Sequence, residues 1–141
     1  MIVVVDASVA IKWFVSVKPE EEHADRALRI LEQTVVGSFR MVQPAHFIAE
    51  VAAVLARLKP DVAQDDLFDL LHIEHQTLDT PQTYATAVAL AMRHQHHLFD
   101  TLYHAVALHT PGATLVTSDA RYFAKARADG RIALLSELDV A

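Results

Sequence analysis

The sequence predicts an α/β fold built on a mainly parallel sheet, and three observations carry that reading. Short apolar runs rich in β-branched residues alternate along the chain with segments of helical periodicity, an alternation that calls for crossover connections between parallel strands. The first run, Met1 to Val5, is apolar throughout, as suits a strand covered on both faces. Breakers punctuate the pattern at Gly37-Ser38, Pro44, Lys59-Pro60, Pro111-Gly112 and Asp129-Gly130.

Taken in order, the first strand runs into Asp6, and a short helix with an apolar face follows from Ser8 to about Val15. The next helix opens on Pro19 and three glutamates, where negative charge meets the positive end of the helix dipole. Its expected core stripe is Ala24, Ala27, Leu28 and Leu31. A second strand spans Arg40 to Gln43, and Pro44 to Leu58 reads as a helix with Phe47, Val51, Val54, Leu55 and Leu58 at helical spacing. Asp61 to about Gln76 reads as another, with Leu67, Leu70, Leu71 and the following Leu78 as expected core. Thr80-Pro81 starts an alanine-rich helix, and Leu98 to His109 forms the next, with its stripe on Leu98, Leu102, Ala105 and Val106. A third strand covers Ala113 to Thr117, a helix opens at Ser118-Asp119 and runs to about Arg127, and Ile132 to Leu135 closes the sheet.

The 141 residues form one domain, residues 1–141, without an internal repeat, linker or low-complexity tract. Cysteine is absent, which excludes disulfides, thiolate metal sites and thiol nucleophiles and fits a reducing compartment. Asp6 interrupts the first apolar run too early for a signal sequence, and no run approaches the roughly 18 apolar residues of a membrane span. The expectation is therefore a cytoplasmic protein with no membrane contact. The formal net charge of −6 argues against binding nucleic acid by a basic surface alone, because that mode needs many cations facing phosphates. A bound divalent ion would change the local sum.

Four acids carry the chemistry. Asp6 and Asp119 end the first and third strands, on the carboxyl edge where open α/β sheets keep their sites. Asp100 lies in the first turn of a helix and Glu50 beside the core stripe of another, so both can reach the same edge. Each has a plainer reading: Asp6, Asp100 and Asp119 as helix N-terminal charges, Glu50 as an exposed edge residue. As a set they would repel by about 4 kcal/mol per pair 4 Å apart at an effective dielectric near 20. A cation would relieve this, and oxygen-only ligands point to magnesium, with manganese as the other hard ion. His72, His75, His94, His96 and His97 match no metal motif and read as helix-surface and helix-end residues.

The ordered segments VVVDASVAIKWF, PAHFIAEVAAVLARL, LFDTLYHAVAL and LVTSDARYF resemble the PIN-domain family and, within it, the VapC-type toxins of bacterial toxin–antitoxin pairs. The resemblance spans Ile2 to about Phe123. It implies a three-layer α/β/α fold, a magnesium- or manganese-dependent endoribonuclease, a cognate antitoxin that holds it inactive, and a homodimer. By position it makes Asp6, Glu50, Asp100 and Asp119 both catalytic residues and metal ligands. Ser8 and Thr117 become supporting hydroxyls and Tyr103 a packing tyrosine. Two departures stand out. The segment before Asp100 is rich in histidine where a glycine is common, and Pro60 stands where a basic, glycine-containing turn is frequent.

With no cysteine and no Ser/His pair in a recognisable motif, water activated by the ion is the simplest nucleophile. The alternative is a catalytically inactive α/β interaction or regulatory domain of the same fold, which would have no need of all four acids. A receiver domain would require a lysine after its last strand, and a haloacid-dehalogenase-type phosphatase a second aspartate at position 8. Lys12, Arg57, Arg93, Arg121 and Lys125 are candidates for contacts to an RNA backbone, and of these Lys12 and Arg121 lie closest in sequence to the acids. The expected substrate is one or a few structured RNAs, such as a transfer RNA loop, where unpaired bases can be splayed into a site.

Overall fold

The computed structural model describes residues 1–15 and 23–140. Strand β1 (Ile2–Val5) is the middle of a five-stranded sheet ordered β3-β2-β1-β4-β5. The others are β2 (Arg40–Gln43), β3 (Gln76–Thr77), β4 (Ala113–Thr117) and β5 (Ile132–Leu134). Every neighbouring pair is parallel. Val3, Val4 and Val5 are wholly buried, as the unbroken apolar run requires, and each contributes about 1.5–3 kcal/mol by leaving water.

The chain passes from β1 to β2 and β3 through α1 (Ala7–Ala10), α2 (Ala24–Val35), α3 (Phe47–Leu58) and α4 (Ala63–Leu71). It then crosses back to β4 and β5 through α5 (Pro81–His94), α6 (Leu98–Leu108) and α7 (Ala120–Ala126). Right-handed crossovers running in opposite directions place these two groups of helices on opposite faces of the sheet. Three layers result. The direction reverses between β1 and β4, so their carboxyl ends border the crevice in which open sheets of this kind hold ligands.

Backbone pairing between β1 and β2 covers Ile2 with Arg40 and Val3 with Met41. Beyond it the Gln43 side chain takes over. Its Oε1 accepts from the Val5 N–H at 2.8 Å and its Nε2 donates to the Val5 carbonyl at 2.7 Å. The fully buried amide lets β1 and β2 part at their carboxyl ends without orphaning the Val5 backbone.

Several expectations need correction. The segment Asp61 to Gln76 is not one helix: α4 ends at Leu71, and Gln76–Thr77 is the edge strand β3. Two exposed residues carry no alternating pattern, so only pairing with β2 reveals them. Leu71 is 57% exposed and Leu58 51%, and α2 buries Ala27, Ile30 and Thr34 while Leu28 faces outwards. Helical spacing fixes a stripe, but the packing partner fixes how far the helix is rotated. The apolar segment after Asp6 holds only one α-helical turn, Ala7–Ala10, before a 3₁₀ turn over Ile11–Trp13. The stripe expected on α6 understates its burial, because every residue from Thr101 to Ala107 is buried between the sheet and α5. Pro19 and the three glutamates lie outside the described residues. Among the described residues, no helix is long and apolar enough to cross a membrane.

Candidate metal centre

Asp6 follows β1 directly and caps α1, accepting from the Ser8 N–H at 3.0 Å and the Val9 N–H at 3.3 Å. Two hydroxyls also donate to its carboxylate: Ser8 Oγ to Oδ1 and Thr117 Oγ1 to Oδ2. Each hydroxyl is in turn held by the turn after β4. The Ser118 N–H donates to Ser8 Oγ at 3.1 Å, and the Asp119 N–H donates to Thr117 Oγ1 at 3.0 Å. Burial nonetheless pushes the Asp6 carboxyl up to about 6. The hydroxyl bonds oppose that rise, and the charge of Asp100 adds to it.

Asp119 caps α7, its Oδ1 accepting from the Tyr122 N–H at 3.0 Å. The helix-cap reading thus holds for Asp6 and Asp119, and it does not exclude a second role. Asp119 Oδ2 lies 3.7 Å from His96 Nε2, and Asp100 Oδ2 lies 3.0 Å from the same nitrogen. Asp100 sits in the first turn of α6 with its side chain 42% exposed, whereas the His96 side chain is only 10% exposed. Gln95, in the left-handed region at φ 49°, ends α5 and turns the chain so that His96 points back at the two acids.

Glu50 comes from the first turn of α3 and accepts from the hydroxyl of the fully buried Tyr103 at 3.0 Å. Tyr103 is therefore a positioning group as well as a packing one. Burial raises the Glu50 carboxyl; the Tyr103 bond lowers it, and the charge of Asp100 raises it again. Asp100 is the electrostatic hub of the set, since its charge acts on both Asp6 and Glu50. The four predicted acids thus gather at the carboxyl edge of β1 and β4. Asp6, Asp100 and Asp119 are joined through Thr117 and His96, and Glu50 is joined through Tyr103 and through charge.

The predicted cations divide. Arg121 is exposed and lines a pocket of about 410 Å³ together with Gln95, His96, His97 and Lys125. Lys12 lines a second pocket, of about 190 Å³, that reaches Ser118. Arg93 is engaged by Asp129, and Arg57 stands exposed in the last turn of α3.

On the sequence alone His96 is set aside as a helix-end residue and His46 is passed over. A histidine four residues before an acid at a helix start was the available signal for the first. His46 lies between the rings of Phe99 and Tyr103, and its Nε2 meets the Phe99 carbonyl at 2.8 Å and Glu50 Oε2 at 3.8 Å. It ties α3 to α6, a link between distant segments that no local pattern announces. His75, by contrast, packs edge-on against Phe47 as a structural residue.

The donors fit a divalent cation. Carboxylates from four separate elements gather on one edge, and Asp100 disfavours ionisation of two of them. Among the described residues, the side-chain atoms close enough to share an ion, within 4.8 Å of one another, are those of Asp100, Asp119 and the neighbouring His96, a set that does not include Asp6 or Glu50. Carboxylate oxygen suits magnesium or manganese.

A family model described as the PIN domain matches residues 3–128. Among solved structures, the chain is similar to one described as the crystal structure of VapBC2 from Rickettsia felis bound to a DNA fragment from their promoter. The TM-score is 0.67 at 14% identity, over 95% of this chain and 98% of that one, and at that identity the likeness shows the fold. No curated protein matches the chain. Because the family model spans nearly the whole fold, including Asp6, Glu50, Asp100 and Asp119, the chain belongs to the PIN-domain family.

Proposed function

We propose that the chain is a metal-dependent endoribonuclease, the toxin of a bacterial toxin–antitoxin pair. The observation that carries this reading is the convergence of four carboxylates from four elements at the crevice between β1 and β4. That arrangement costs stability and is hard to explain without a cation. Asp6, Glu50, Asp100 and Asp119 would hold magnesium or manganese. When bound, such an ion activates water and offsets the phosphate charge.

The chain's own groups prepare that chemistry. Ser8 and Thr117 orient the Asp6 carboxylate, and Tyr103 fixes one oxygen of Glu50. Arg121 shares a pocket with His96, and Lys12 shares one with Ser118, next to Asp119; both would contact RNA phosphates. Such contacts position an RNA without reading its sequence. RNA offered to the purified protein should be cut in magnesium or manganese, with 5′-phosphate and 3′-hydroxyl ends. A 2′,3′-cyclic phosphate, or cutting undiminished by exhaustive chelation, would overturn the reading.

The partner would be a cognate antitoxin, most simply one that places an arginine on the carboxylates, since a guanidinium matches a carboxylate in a bidentate pair. The same reading includes a homodimer. Its support is the stripe of Tyr84, Val88 and Met92, exposed at four-residue spacing along α5. Sedimentation at micromolar concentration tests it, and a monomer would count against it.

A further inference from the structure

We propose that His96 is a positioning residue for Asp100 and not a ligand of the cation, and that Lys125 sets its tautomer. The proposal rests on the metal-centre reading above and adds what holds one of its carboxylates in place.

A neutral imidazole has one donor and one acceptor nitrogen, and which is which follows from the partners. Lys125 Nζ lies 3.2 Å from His96 Nδ1 and also donates to the Gln95 carbonyl at 3.4 Å. An ammonium has only donors, so Nδ1 must be the acceptor and the ring proton must lie on Nε2. Nε2 faces Asp100 Oδ2 at 3.0 Å and Asp119 Oδ2 at 3.7 Å. That N–H therefore donates to the acid of α6, and the acid of the turn after β4 lies beside it, beyond hydrogen-bond reach. Ligation would need the reverse, a bare Nε2 and an Nδ1–H pointed at an acceptor. Lys125 cannot accept.

The ring is also clamped. It lies tilted on the Tyr122 ring with centroids 4.7 Å apart. Tyr122 is fixed at both ends: its backbone N–H donates to Asp119 Oδ1, and its hydroxyl meets Nδ1 of the buried His104 at 2.8 Å. His104 Nε2 in turn donates to the Gly130 carbonyl at 2.8 Å, which leaves its Nδ1 to accept from Tyr122. The consequence is an Asp100 carboxylate held by a donor whose ring is itself fixed beside Asp119.

The tautomer is measured on the metal-free wild-type protein by long-range proton–nitrogen NMR. The Nε2–H form is expected, and the Nδ1–H form would overturn the proposal. Manganese added to the wild type should show no nitrogen coupling from His96 in its pulsed electron spin resonance spectrum, and such coupling would equally overturn it. His96→Leu should bind manganese roughly ten- to a hundred-fold more weakly, the scale of losing an outer-shell partner. His96→Gln, which restores an N–H near the same place, should recover most of that. Lys125→Met should weaken binding in the wild-type background and change nothing in the His96→Gln background, because an amide needs no tautomer to be set. An equal loss in both backgrounds, or wild-type affinity in His96→Leu, would refute the relay. A protein that binds no manganese at all would sink the metal-centre reading itself, while the tautomer would still decide whether Lys125 directs His96.

Discussion

The two halves of the site are built differently. On the sheet side, Asp6, Ser8, Thr117 and Asp119 lie within a few residues of the ends of β1 and β4, and backbone N–H groups hold every one of their side chains. On the helix side, Glu50, Asp100 and His96 come from α3, from α6 and from the turn before it, and they are held by other side chains. The Asp100 carboxylate is also 42% exposed. The sheet half is a floor set by local structure, whereas the helix half is a wall assembled by tertiary packing. Loss of any of the four acids should therefore cost binding and rate, and loss of a group that holds the strand ends together should also cost stability.

The largest effect expected is on activity. Asp6→Asn, Glu50→Gln, Asp100→Asn and Asp119→Asn should each lower the rate of RNA cleavage roughly a hundred-fold or more, as groups acting as one unit do. Full activity in Asp100→Asn would break the comparison by removing the wall from the chemistry.

The next effect is on the fold. Gln43→Leu orphans the Val5 N–H and carbonyl and should cost about 2–4 kcal/mol in chemical denaturation. A cost near zero would mean that β1 and β2 do not part where the structure shows them parting.

A third effect follows from Asp6. Its carboxyl is raised from 3.8 to about 6 by burial, so the fold favours the protonated form. That contribution is fully present below about pH 3.8 and is lost as pH rises through about 6, a change on the order of 3 kcal/mol in the metal-free protein. Denaturation at a series of pH values in chelator, with Asp6→Asn as reference, should show the wild type losing ground to the variant over that window. A constant difference would contradict the buried environment of Asp6. The smallest effect belongs to the wall: Tyr103→Phe removes one bond to Glu50 and should cost about 0.5–1.5 kcal/mol or less, with a larger loss in metal affinity than in stability.

The same division decides what could be read from the sequence. β2 and β4 appear with the expected bounds, and Asp6 and Asp119 stand at the strand ends where patterning placed them, because a strand, its breaker and its cap are local signals. His96 reads from the sequence only as a helix-end residue, because its contacts with the acids depend on Gln95 adopting the left-handed region and on α7 delivering Lys125 and Tyr122 to the same corner. Gln43 was legible as the end of a strand and not as the group that lets two strands separate, since that depends on where pairing with β1 stops. β3 was lost inside an expected helix for want of any pattern in two exposed residues. In each case the missing information is a contact between segments distant in the chain.

The central claim is that both halves hold one cation, and calorimetric titration of magnesium or manganese at pH 6 tests it most directly. The wild type should bind and release protons, because Asp6 must lose the proton that burial lets it keep at that pH. Each of the four acid substitutions should weaken binding, and Asp6→Asn should also reduce the proton release. Binding unchanged by Asp6→Asn or by Asp100→Asn, or no binding at all, would contradict the account.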